Sequence, residues 1–120
     1  MRCNRHGSGI FRDAGFDCVF CGNVVVTSTR MYIFELEEDV ATAKAVLVIP
    51  FAAVQSMEPS VFRSGSGNYI GGQVRIVGRF DRKVNGTVIE ERVTFQMPLD
   101  AVFHEFVETS QNAWNKIRNN

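Results

Sequence analysis

Four residues with the chemistry of zinc ligands lie within the first 21 positions: Cys3 and His6 in C-x-x-H spacing, and Cys18 and Cys21 in C-x-x-C spacing. Thiolates and imidazoles this close in sequence form tetrahedral structural sites when a turn directs them onto one ion. The local pattern argues for something plainer. Phe16 to Cys21, FDCVFC, reads as a strand with Phe16, Cys18 and Phe20 on one face, which sends Cys18 and Cys21 to opposite faces. Buried or half-buried thiols are the expectation, with a zinc site on Cys3, His6, Cys18 and Cys21 as the alternative. No βαβ pattern surrounds the C-x-x-C, as a thioredoxin-like redox site would require. No cofactor is expected.

A second chemical possibility is the run PSVFRSGSGNYIGGQV at 59–74. Glycine lets backbone N–H groups approach a phosphate closely, so nucleotide loops are rich in it. The spacing fits neither known pattern. Gly65 and Gly67 open a G-x-G, but Ile70 stands where a dinucleotide loop needs glycine, and Gln73-Val74 follows Gly72 where a P-loop needs Lys and Ser/Thr. The residues after the run alternate as a strand, not as a helix, so the loop is read as architecture.

The third possibility is an anion site. Arg75 and Arg79 fall on one strand face, Arg82 and Lys83 lie in the turn, and Arg92 follows on the partner strand. Guanidinium and ammonium groups gathered this way recognise phosphate headgroups or acidic peptides. The alternative is a solvated face whose charge pairs, Asp81 and Glu90 included, contribute little. Nothing resembles a catalytic constellation. His6 and His104 have no serine or cysteine that spacing brings to them, and the adjacent Glu90 and Glu91 face opposite ways on a strand. The chain is therefore read as non-enzymatic.

The elements that must position these groups follow from bulk properties and periodicity. At 120 residues the chain suits one domain, with 1–15 as a flexible leader and 16–118 as the folded part. Thirteen basic residues balance thirteen acidic ones, so no global field favours nucleic acid, and direct nucleic-acid binding is not expected. The longest apolar stretch, Ala45 to Ala53, is too short for a transmembrane segment and contains Pro50. Without an apolar leader and with three cysteines, a cytoplasmic protein is expected, with nuclear or peripheral-membrane location as variants.

From 16 to 97 the pattern is strand and turn. Val24 to Thr27 is β-branched, Arg30 to Leu36 alternates with Met31 and Ile33 on one side, and Lys44 to Ile49 is apolar. Pro50 should bend the chain, Phe51 to Met57 should continue extended, and Glu58-Pro59 should end that run. Asn85-Gly86 between two alternating runs predicts a type I′ hairpin, with Val74, Ile76, Phe80, Ile89, Val93, Phe95 and Met97 inward. The period then changes to 3.6. From Pro98, the residues Leu99, Val102, Phe103, Phe106, Val107, Ala113, Trp114 and Ile117 form the apolar stripe of one C-terminal helix. The fold class is mainly β with this one helix, a bent antiparallel sheet or barrel capped by it.

Seven strands followed by a capping helix resemble the pleckstrin-homology (PH) superfold. VVVTSTRMYIF at 24–34 is similar to the strand pair of its GRAM variety. Within that group the chain most resembles the WW-domain-binding protein 2 family. Pro50-Phe51 stands where that family has a central Pro-Phe, and Pro59, Val61, Phe62, Asn68, Tyr69, Ile70 and Gly72 follow its P-V-F-x-x-N-Y-I-x-G word. Ser60 and the longer RSGSG segment depart from that word. The family's proline-rich tail has no counterpart, because the only prolines are Pro50, Pro59 and Pro98. The resemblance implies a GRAM/PH-like adaptor that binds a protein partner, with transcriptional coactivation as a family role and phosphoinositide headgroup binding as the alternative. It also makes Tyr69 and Ile70 anchors that return the glycine loop to the core.

Overall fold

A computed structural model describes residues 9–12, 18–20, 22–35, 45–63, 65, 67 and 70–119. The elements are β1 (Gly9–Arg12), β2 (Cys18–Phe20), β3 (Gly22–Val26), β4 (Arg30–Glu35), β5 (Ala45–Pro50), a 3-10 turn (Phe51–Ala53), β6 (Val54–Arg63), β7 (Ile70–Gly78), β8 (Lys83–Val84), β9 (Thr87–Val88), β10 (Glu91–Pro98) and α1 (Ala101–Arg118). They build a five-stranded sheet in the order β2-β1-β10-β7-β6, a three-stranded sheet β3-β4-β5, and the small ribbon β8-β9. The protein is thus mainly β with one C-terminal helix. No described helix is long and apolar enough to cross a membrane.

Alternation produces the core. Met31 and Ile33 of β4, Leu47 and Ile49 of β5, Met57 of β6, Val74 and Ile76 of β7, and Val93 and Phe95 of β10 are buried. They meet the helix stripe at Phe103, Ala113 and Trp114. Each fully buried large side chain stabilises the fold by about 1.5–3 kcal/mol. The β3–β4 turn is closed by Thr27, whose Oγ1 accepts from Arg30 N at 3.0 Å and Thr29 N at 3.3 Å.

Helix α1 is started by Asp100, whose carboxylate accepts from Val102 N at 3.0 Å and Phe103 N at 3.2 Å. Lys116 and Arg118 lie in its last turn, where cations complement the helix dipole. Two contacts fix its direction across the sheets. Phe106 meets Phe95 of β10 edge to face, with ring centroids 5.5 Å apart. Trp114 Nε1 donates to the carbonyl of Val54 at the start of β6, 3.1 Å away. Arg118 lies 3.8 Å above the Trp114 ring, a cation–π contact that closes the end of the helix.

The Asn85-Gly86 hairpin forms as expected, with φ of 53° and 81° at the two residues. Its ladder is interrupted below the tip. Ile89 N bonds Arg82 O, whereas Glu91 pairs with Gly78, so Arg79, Phe80 and Asp81 oppose the single residue Glu90. The Glu91 side chain, 3 % exposed, turns into this bulge, and its Oε2 accepts from Arg82 N at 2.7 Å. A buried carboxylate thus satisfies a main-chain donor that the irregularity removed from the ladder.

Several expectations are corrected. Gly9–Arg12, within the stretch read as a leader, forms β1 and pairs with β10. Phe51–Ala53 turns instead of continuing extended, and the strand after it does not end at Glu58-Pro59 but runs to Arg63. The reason is position: among the described residues β6 is the edge of its sheet, where a proline removes no shared hydrogen bond. Pro98 closes β10 opposite Gly71 and is not part of the helix. Ile70 is exposed, not a core anchor, while Tyr69 lies outside the described residues.

Candidate interaction site

The residues that could do chemistry are placed as follows. Cys3, His6 and Cys21 lie outside the described residues, and Cys18 falls in β2. Among the described residues no group of His, Cys, Asp and Glu gathers around a common point as a metal site would require. Glu90 is exposed and Glu91 buried, as their alternation predicts, and His104 lies on the exposed side of α1.

The basic set divides into two groups. Arg75 and Arg92 project from the outer face of the five-stranded sheet, one cross-strand step apart: Arg92 pairs with Val77, and Arg75 pairs with Thr94. Glu58 of β6 lies directly opposite Arg75 on its other side. Arg79 follows directly after β7, is exposed, and its N–H donates to Ala53 O. Arg82 and Lys83 stand at the root of the hairpin. The structure therefore brings Arg75 and Arg92 onto one face, with Arg79, Arg82 and Lys83 in the segment that follows β7, and mixes them with Glu58 and Glu90. All five cations are exposed, and they share the surface with polar Ser60, Gln73 and Gln96, the last two joined at 3.0 Å.

The opposite end of the same sheet carries a different surface. Register pairs Val61 with Gly72, Phe62 with Gly71 and Arg63 with Ile70, and β10 ends with Pro98 against Gly71. Leu99 and the first turn of α1 continue from that point. Four large apolar residues are exposed here: Val61 at 60 %, Ile70 at 44 %, Leu99 at 40 % and Val102 at 68 %. At this end the Phe103 ring lies directly on the backbone of Gly72; a Cβ at that glycine would collide with the ring. Gly72 is therefore a seat for the helix, which explains the glycine at that position without any phosphate.

The sequence pattern did not single out this apolar end. Leu99 and Val102 fit the helical stripe and read as core, because periodicity does not show where the sheet beneath a helix stops. Ile70, with Tyr69, reads as an anchor of the glycine loop, and Val61 as part of the word that precedes it. The available signal was the pair of glycines at 71 and 72, which supply no side chains to cover their neighbours.

In comparisons with known proteins, the chain matches no family model, no curated protein and no solved structure.

Proposed function

We propose that the protein is a non-enzymatic adaptor module of the GRAM/PH-like type that binds a protein partner through the apolar end formed by Val61, Ile70, Leu99 and Val102. The observation that carries this reading is the exposure of those four side chains at the one end of the sheet where Phe103 seats on Gly72. Large apolar residues exposed at one end of a fold mark interaction sites. The fold part of the reading draws support from how the chain changes sheets. β2 ends at Phe20 and β3 begins at Gly22 in the other sheet, while β5 ends at Pro50 and β6 begins at Val54. Counting β2 with β3 as one bent strand, and leaving the β8-β9 tip aside, gives seven strands followed by the helix. The local words at 24–34, 50–51 and 59–72 add the resemblance to the WW-domain-binding protein 2 family, and with it coactivation as a role for the partner complex.

A second reading, headgroup binding at a phosphoinositide membrane, is favoured by the shared face of Arg75 and Arg92, with exposed Arg79 just beyond β7. Co-sedimentation with vesicles containing phosphoinositide, at two ionic strengths, separates the two. The adaptor reading predicts no salt-sensitive pelleting. Pelleting that falls steeply with salt and disappears in Arg75→Glu/Arg79→Glu would replace it with the membrane reading.

A further inference from the structure

β6 is the last strand of its sheet, with β7 as its one neighbour among the described residues. It is ten residues long. Pro59 in its middle reveals how its backbone is turned. Proline has no N–H, so in a paired strand its nitrogen faces away from the partner. In an antiparallel strand the N–H and C=O of one residue point to the same side, and the side alternates. Met57, Val61 and Arg63, spaced by twos from Pro59, therefore direct their main-chain groups to the free edge. That edge offers N–H donors at Val61 and Arg63 and carbonyl acceptors at Pro59, Val61 and Arg63. Only an extended backbone matches a row of alternating donors and acceptors.

The flanking side chains define what that backbone must carry. Pro59, Val61 and Arg63 share the face of buried Met57, the side of the sheet on which α1 lies. Phe103 on Gly72 and Trp114 on Val54 show that α1 runs alongside β6 in the opposite direction. At about 100° per residue, Val107 falls on the flank of α1 away from Phe106, whose ring meets β10, and hence towards β6. An incoming strand thus sees apolar Val61 and Val107 on one side and exposed Glu58 on the other.

We infer that the free edge of β6 takes an extended peptide from the partner as an added antiparallel strand. This rests on the adaptor reading and gives it a partner class. Running antiparallel, the peptide places an acidic residue opposite Arg63, an apolar one opposite Val61 and a basic one opposite Glu58, which reads acidic-x-apolar-x-x-basic. The charges also separate a partner peptide from a second copy of this chain. Glu58 and Arg63 are on opposite faces of β6, and directly opposed residues in a strand pair share a face. No twofold pairing of β6 with itself can therefore join Glu58 to Arg63.

The test is a titration, followed by amide NMR, of the protein with the synthetic peptide Thr-Thr-Glu-Thr-Leu-Thr-Val-Lys-Thr-Thr. Saturable shifts are expected along β6 and the first half of α1. N-methylation of the leucine, which removes the N–H aimed at Val61 O, should weaken binding by about tenfold or more. Val61→Pro keeps an apolar side chain but removes the edge donor, and should weaken it similarly with the amide spectrum otherwise retained. Glu58→Lys should lose affinity that a peptide with Glu in place of Lys recovers. Absence of binding, indifference to N-methylation, or self-association of the protein that Val61→Pro abolishes would each overturn the inference. If Val61→Asp disrupts capture of a protein at the apolar end while Val61→Pro does not, the strand mode fails and the adaptor reading stands. If neither matters, both fail.

Discussion

The two ends of β7 solve the same problem differently. At its C-terminal end, Gly78 sits where a Cβ would collide with the carbonyl oxygen of Ala53, and the chain is secured there by main-chain N–H groups, Arg79 donating to the Ala53 carbonyl and Arg82 to the Glu91 carboxylate. The side chains left outside are charged. At its N-terminal end, Gly72 admits the Phe103 ring, and the side chains left outside are apolar. One end is completed by the protein's own backbone groups, whereas the other keeps apolar surface that water covers poorly. A charged surface is an ordinary outcome of solvation; apolar residues gathered at one end call for a partner.

The largest expected effect tests what holds the helix across both ends. Trp114→Ala should cost about 3–5 kcal/mol, because it removes a buried indole and leaves the Val54 carbonyl without its donor. Chemical denaturation would measure it. Trp114→Phe should recover most of that loss.

The two glycines sharpen the contrast. Each alanine substitution should cost about 1–3 kcal/mol from overpacking, with Gly78→Ala at the upper end because its obstacle is backbone. Gly72→Ala meets only a side chain, so Phe103→Leu should be less harmful in its presence than alone. A double-mutant cycle reads that coupling, and strict additivity would contradict the contact. Asp100→Ala, which removes the cap at the apolar end, should cost about 1 kcal/mol.

The smallest effects on stability fall on the surfaces themselves. Val102→Asp and Arg79→Glu should each change the unfolding free energy by less than about 0.5 kcal/mol, since both side chains are exposed. Their consequences for binding should differ: Val102→Asp weakens partner binding and Arg79→Glu leaves it unchanged.

Much of the fold was legible because it is written in local period. Met31 and Ile33, Val74 and Ile76, and Val93 and Phe95 alternate into the core as strand patterning requires, and Asn85-Gly86 marks its own turn. What was not legible depends on neighbours distant in the chain. β1 is a strand because β10 is there to pair with it, and β6 continues past Pro59 because, among the described residues, β7 is the one strand it pairs with. The candidate site shares this difficulty. The arginines are conspicuous as residue types, and their common face follows from alternation. The apolar end exists because β6, β7 and β10 end together beneath the first turn of α1, and no window of sequence contains that coincidence.

The most direct test of the central claim is site-specific photo-cross-linking in cells, with the reactive side chain placed at Val102 in one variant and at Arg75 in another. The apolar end predicts protein adducts from position 102 that disappear when Val61→Asp is added, and none from position 75. Adducts from position 75 alone, unaffected by Val61→Asp, would contradict it and move the functional surface to the arginine face.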